Sequence, residues 1–201
     1  MLRILRYFSW ALLTVLSFAV AGAFLHKQGD NKSTPSPDSQ TTIGSSFQLI
    51  DHNGLPITER VLSEGPSAIF FGFTHCPEIC PTTLQNLSVW SKQIEDGQDS
   101  TLKILFFTID PIRDTPSVLK TFVSQFSNNI TAITGKPQQI EQLIKSWHVY
   151  AKRIPLDDGD YTMDHTAAVF LIRRDGTLQG TISHQDDRHT AIEKLRLLIS
   201  S

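Results

Sequence analysis

Uninterrupted apolar runs alternate along this chain with stretches in which apolar residues return every third or fourth position. Residues 67–74 (SAIFFGFT) and 102–109 (LKILFFTI) are near-continuous apolar segments of strand length, as expected of strands covered on both faces. Between them Leu84, Leu87, Trp90 and Ile94 mark one stripe of a helix, and Pro81 suits its first turn. A second helix is predicted to start at Pro116 and to bury Val118, Leu119, Phe122, Val123 and Phe126. A short strand follows at 130–134, then a third helix through Ile140, Leu143, Ile144 and Trp147. Residues 166–172 (TAAVFLI) read as a strand that Arg174-Asp175-Gly176 turns into TLQGTI, and a last helix spans 187–199. Near the start, residues 47–58 read as a hairpin turning at Asn53-Gly54. Strands alternating with helices and ending in a hairpin and a helix predict an α/β sandwich around a central mixed β-sheet.

The segment before this pattern differs in kind. After Arg3 and Arg6, residues 7–25 carry no charge, which is close to the length of a membrane span. Basic residues before the apolar run predict that the domain is exported, and an uncleaved anchor is preferred to a cleaved signal sequence. Residues 27–46 are polar and contain prolines, as a flexible tether would. The expected organisation is an anchor over 1–26, a linker over 27–46 and a folded domain over 47–201. With 18 basic and 20 acidic residues the net charge is −2, and no Lys/Arg cluster lies on a predicted helix face. That argues against a nucleic-acid partner.

Only two cysteines occur, Cys76 and Cys80, in the stretch FFGFTHCPEICPTTL. Exported proteins commonly use such pairs as structural disulfides. A bridge closing so short a loop would restrain the unfolded chain very little, so chemistry is the better reason for the pair. A strand leading into two thiols and then a helix points to the thioredoxin superfamily, with the thiols beside a helix N-terminus that favours thiolate. The spacer Pro77-Glu78-Ile79 is one residue longer than the usual redox arrangement. It lets the sulfurs either close on each other as a redox disulfide or open to hold a soft ion such as Cu(I) or zinc. Two sulfurs are too few for a closed zinc site or a cluster, and histidine is the usual additional donor. His26, His52, His148, His184 and His189 fall at a membrane boundary, in turns or in solvated segments, and His75 adjoins a ligand that points the other way. His165 stands at the start of the predicted strand in YTMDHTAAVFLI, where a ligand and a turn cap shared with Asp164 are both open readings.

GFTHCPEICP, DPIRDTP and YTMDHT, in this order behind an N-terminal apolar segment, resemble the Sco/SenC family of copper-binding proteins over about residues 44–200. The resemblance implies a thioredoxin-like fold. It also implies copper, as Cu(I) and/or Cu(II), held by Cys76, Cys80 and His165. It implies a metallochaperone rather than an enzyme, assisting assembly of the copper centre of cytochrome c oxidase. Expected partners are subunit II of that oxidase or a similar copper acceptor, a copper donor protein, and the membrane through the N-terminal helix. The expected location is the inner membrane, single-pass, with the domain facing the periplasm. Asp164 is a candidate to orient His165 from behind. Ile112 departs from the pattern, standing where an acid is usual, and Glu78 stands where Asp is common. The competing reading is a membrane-anchored thiol–disulfide reductase acting on a partner's cysteines, which needs no third ligand.

Overall fold

The computed structural model describes residues 46–95, 102–127 and 129–200. The predicted anchor, and all of the tether except Ser46, lie outside them. Among the described residues no helix is long and apolar enough to cross a membrane.

In chain order the elements are β1 (Gln48–Asp51), β2 (Pro56–Thr58), a 3-10 turn (Glu59–Ser63), β3 (Ser67–Gly72) and α1 (Ile79–Glu95). There follow β4 (Lys103–Thr108), α2 (Pro116–Val123), β5 (Ile130–Thr134) and α3 (Pro137–Ser146). The last part comprises β6 (Ala151–Pro155), β7 (Tyr161–His165), β8 (Val169–Ile172), β9 (Leu178–Ile182) and α4 (Arg188–Ile199). Seven strands form one mixed sheet in the order β2-β1-β5-β4-β3-β8-β9. The pairs β3–β4 and β4–β5 are parallel, as their intervening helices require, while β8 and β1 join antiparallel. This is the mixed α/β sandwich that the periodicity predicts.

Alternation along the central strands assigns the layers. Phe70 stacks on Phe106, and Phe106 meets Phe122 of α2, so this face lies under α2. Gly72, two residues on from Phe70, lies against Cys80 of α1, which places α1 on the same face. The opposite face carries Phe71 and Phe107, stacked on each other, with Trp147 just after α3 packed on Phe71 and Phe170. Cover on both faces explains why every residue of β3 is buried.

The local signals act as expected at most helix ends. Pro116 and Pro137 occupy first turns, where a missing N–H is no loss. Thr115 and Asp187 cap their helices through side-chain oxygens. One element departs from the sequence reading. Strands β6 and β7 pair only with each other, as a two-stranded hairpin outside the main sheet. Neither strand contains a fully buried residue, so neither shows the apolar alternation that reveals a strand. As a result His165 ends β7 rather than starting the strand after it, and β8 begins only at Val169.

Candidate metal centre

Gly72 and Thr108 are register partners at the carboxyl ends of the parallel strands β3 and β4. The loops that follow these strands therefore leave from one edge of the sheet, the usual place for a site in such folds. The first loop carries Thr74, His75 and Cys76 into α1. Its path depends on Gly72. A Cβ there would lie 2.8 Å from Cys80 Sγ and 2.8 Å from Phe106 Cε2, closer than real contacts come. The glycine is thus what lets the second sulfur seat directly against the strand.

Cys80 is fully buried and belongs to the hydrophobic core, whereas Cys76 is half-buried, and both are free thiols. The Cys80 backbone N–H, in the first turn of α1, donates to Cys76 Sγ at 3.3 Å. Cys76 is pulled down to about 4, chiefly by the hydrogen bond from the Cys80 thiol, with His165 and backbone N–H groups adding to it against the opposing effect of burial. Cys80 is pushed up for the matching reason, since its proton serves Cys76 and its sulfur is buried. Near neutral pH the pair therefore holds one proton, with the charge on the sulfur that faces outward.

His165 approaches from β7. Its Nε2 lies 3.7 Å from Cys80 Sγ, and its Nδ1 lies 2.9 Å from the Thr166 carbonyl oxygen. A carbonyl only accepts, so Nδ1 carries a proton, and Nε2 is the ring nitrogen that faces the sulfurs. The edges of Phe70 and Phe73 pack on the imidazole at 6.1 and 5.8 Å between ring centroids. One ligand atom each from Cys76, Cys80 and His165 lies within 4.8 Å of the others, and among the described residues no further acid, cysteine or histidine joins that group. His75 is exposed and bonded to Thr74 Oγ1, and His52 accepts the Ala132 N–H beside the first hairpin. His148 adopts a left-handed conformation (φ 52°) after α3, and His184 and His189 are exposed. His26 lies outside the described residues.

The expectation for Asp164 is corrected. Successive strand residues face opposite ways, so Asp164 is exposed on the far side of β7 from His165. The hydrogen bond it was to supply comes from the Thr166 carbonyl.

The acids of the DPIRDTP loop, Asp110 and Asp114, read in sequence equally well as turn formers, but in the structure they make contacts across the fold. Asp114 is fully buried. It accepts Thr74 Oγ1–H at 2.6 Å, the Thr74 N–H at 3.1 Å and Thr108 Oγ1–H at 2.6 Å, which ties the cysteine loop to the end of β4. Burial raises its pKa against the lowering effect of those bonds. Asp110, 2% exposed, accepts Tyr161 Oη–H at 2.8 Å and Arg113 Nε–H at 2.5 Å. Arg113 in turn donates to the Tyr161 carbonyl at 2.8 Å. The signal that could have found these acids is their short spacing after a buried strand whose partner strand ends in the cysteine loop.

Comparison with known proteins adds an independent line. Residues 35–200 match the family model described as SCO1/SenC. Protein SCO2, mitochondrial, of Saccharomyces cerevisiae is 36% identical over 156 residues, 77% of this chain and 52% of that protein. The SCO2-like protein of Rickettsia felis is 37% identical over 141 residues, 69% of this chain and 68% of that one. The chain spans about half the length of the yeast relatives it matches. Among solved structures, Bradyrhizobium japonicum ScoI with copper bound superposes with TM-score 0.70 at 39% identity, over 78% of this chain and 99% of that chain. Yeast Sco1 with copper bound gives TM-score 0.73 at 33% identity, over 79% and 89% of the respective chains.

Proposed function

We propose that this chain, which belongs to the SCO1/SenC family, is a copper chaperone that assists assembly of the copper centre of cytochrome c oxidase. Copper is its cargo, held by Cys76 Sγ, Cys80 Sγ and His165 Nε2. The observation that carries this reading is the convergence of two sulfurs and one imidazole nitrogen within 4.8 Å, from two separate parts of the chain. Two thiolates suit Cu(I), and an imidazole nitrogen among them also accommodates Cu(II). Three donors leave the coordination of Cu(II) incomplete, so an acceptor's ligands have a position from which to displace the chaperone's own.

The same thiols gate the cargo. Oxidation of the thiolate of Cys76 and the thiol of Cys80 to a disulfide gives up two electrons to an added oxidant such as diamide, releases one proton and removes both sulfurs from the ligand set. The reductase alternative is less well supported, because exchange needs no third ligand, whereas here an imidazole nitrogen is brought to 3.7 Å from Cys80 Sγ. Residues 1–26 serve as a membrane anchor, 27–46 as a tether and 47–201 as the copper domain. The basic flank before the apolar run supports a domain on the periplasmic side. The acceptor is subunit II of the oxidase or a protein with similar copper ligands, and a copper donor protein supplies the ion.

Metal uptake by the full chain tests this function. The reduced protein should take up about one copper per chain, and the diamide-oxidised protein almost none. Equal uptake by the two forms would take the cysteines out of the site and overturn the proposal.

A further inference from the structure

The third proposed ligand belongs to the one pair of described strands that has no place in the main sheet. The β6–β7 hairpin pairs only with itself, and an isolated two-stranded hairpin is marginal in water. Its hold on the rest of the molecule is therefore what sets the position of His165. At the base, the Thr166 N–H donates to the Tyr150 carbonyl at 3.0 Å, and the Tyr150 N–H donates to Thr166 Oγ1 at 3.0 Å. Those bonds close the hairpin on its own chain and do not reach the sheet.

The other end is fastened differently. Tyr161 opens β7, four residues before His165, so the two side chains share a strand face. Tyr161 Oη donates to both oxygens of Asp110, at 2.8 and 3.1 Å. The Arg113 guanidinium carbon sits 3.6 Å from the Tyr161 ring centroid, and Arg153 of the neighbouring strand sits 3.9 Å from it. Arg113 also donates to the Tyr161 carbonyl and, at 3.2 Å, to Asp160. The same short loop holds the other ligand-bearing segment, because Asp114 binds Thr74 two residues before Cys76.

We infer that Tyr161 is a positioning residue for copper binding: its bond to Asp110 latches the β6–β7 hairpin to the loop that also holds the cysteine segment, and so sets the reach from His165 to the sulfurs. The inference rests on the copper reading above. The latch touches neither metal nor sulfur and acts only through the imidazole. Cu(II), which depends on the nitrogen, is sensitive to it, whereas Cu(I) remains on the two thiolates.

The test is a double-mutant cycle on the reduced full chain, with Tyr161→Phe, His165→Ala and the double variant. Tyr161→Phe keeps the ring and its guanidinium neighbours and deletes only the hydroxyl. It should raise the Cu(II) dissociation constant about tenfold, as expected for one lost hydrogen bond to a charged group. The Cu(I) constant should stay within about threefold, and the thiolate-to-copper absorption should move toward that of His165→Ala. In the His165→Ala background, adding Tyr161→Phe should change Cu(II) binding by less than about twofold. Equal weakening in both backgrounds overturns the latch, because the tyrosine would then act on stability or on the sulfurs. No weakening by Tyr161→Phe where His165→Ala weakens also overturns it, and leaves the copper reading standing. Undiminished Cu(II) binding in His165→Ala is a different pattern, which removes His165 from the ligand set and the latch with it.

Discussion

Replacing Gly72 by alanine isolates the close approach on which the sulfur pair depends. Gly72 lies in a regular strand with no left-handed torsion, so its backbone accepts alanine and the effect is steric alone. The added methyl would meet Cys80 Sγ at 2.8 Å, Phe106 Cε2 at 2.8 Å and Phe70 Cε1 at 3.1 Å. Ordinary contact is near 3.5 Å, so the sulfur and the ring must each yield by about 0.7 Å. Both are fully buried, and overpacking of this kind costs about 1–3 kcal/mol. At about 2–4 °C per kcal/mol for a domain of this size, Gly72→Ala should melt roughly 2–12 °C lower. Copper binding should suffer separately, because metal–ligand distances tolerate only about 0.2 Å. A sulfur displaced beyond that should raise the Cu(I) dissociation constant roughly tenfold, the equivalent of about 1.4 kcal/mol of strain. Melting followed by circular dichroism and Cu(I) competition titration measure the two effects. Gly65→Ala is the control, since its methyl meets nothing nearer than Lys103 Cε at 3.9 Å. If Gly72→Ala melts within about 1 °C of the parent and binds Cu(I) equally well, the close-approach argument is wrong.

Two further outcomes follow from the loop and its charges. Because Cys76 is held down at about 4, its thiolate dominates at every pH above that value and is lost only as pH falls through it. Iodoacetamide should therefore label one cysteine of the folded apo protein with a rate nearly flat from pH 8 to about 5, and should reach Cys80 only after unfolding. A rate that collapses below pH 8, as for an ordinary thiol, would contradict the shift. Thr74→Val removes a hydroxyl bonded to the buried Asp114 carboxylate and should destabilise by about 1.5–3 kcal/mol in urea unfolding, whereas a change below about 0.5 kcal/mol would show that the bond does not hold the cysteine loop.

The parts of the fold legible in the sequence are those whose physics is local or one-dimensional. Strands β3 and β4 stand out because burial on both faces leaves no polar position except at their ends. Helices α2 and α3 announce themselves through a proline in the first turn and an apolar stripe behind it. The β6–β7 hairpin is hidden, because it meets the core through a few partly buried residues such as Ala151 and Met163, too few to show an apolar alternation. In the site, the cysteines are conspicuous by rarity and spacing, whereas His165, set apart by its place before an apolar strand, stays open between ligand and turn cap until the family motif is considered. Asp110 and Asp114 look like turn residues because what distinguishes them is a contact across the fold, from Asp114 to Thr74 and from Asp110 to Tyr161. Asp164 shows the limit of adjacency, since neighbours in a strand face away from each other.

The unequal burial of the two cysteines bears on how their loss would be read in a living cell. Cys76 sits at the boundary with solvent, so a serine there exchanges one tolerated polar atom for another and leaves the amount of folded protein nearly unchanged. Cys80 is packed among Gly72, Phe106 and the rest of the apolar interior. A serine there buries a hydroxyl without an assured partner, which costs about 1–3 kcal/mol and can lower cellular abundance severalfold. Identical losses of function at the two positions would thus arise by different routes, one through chemistry alone and the other through chemistry and turnover together. Protein levels would have to be matched before the two sulfurs are compared as ligands.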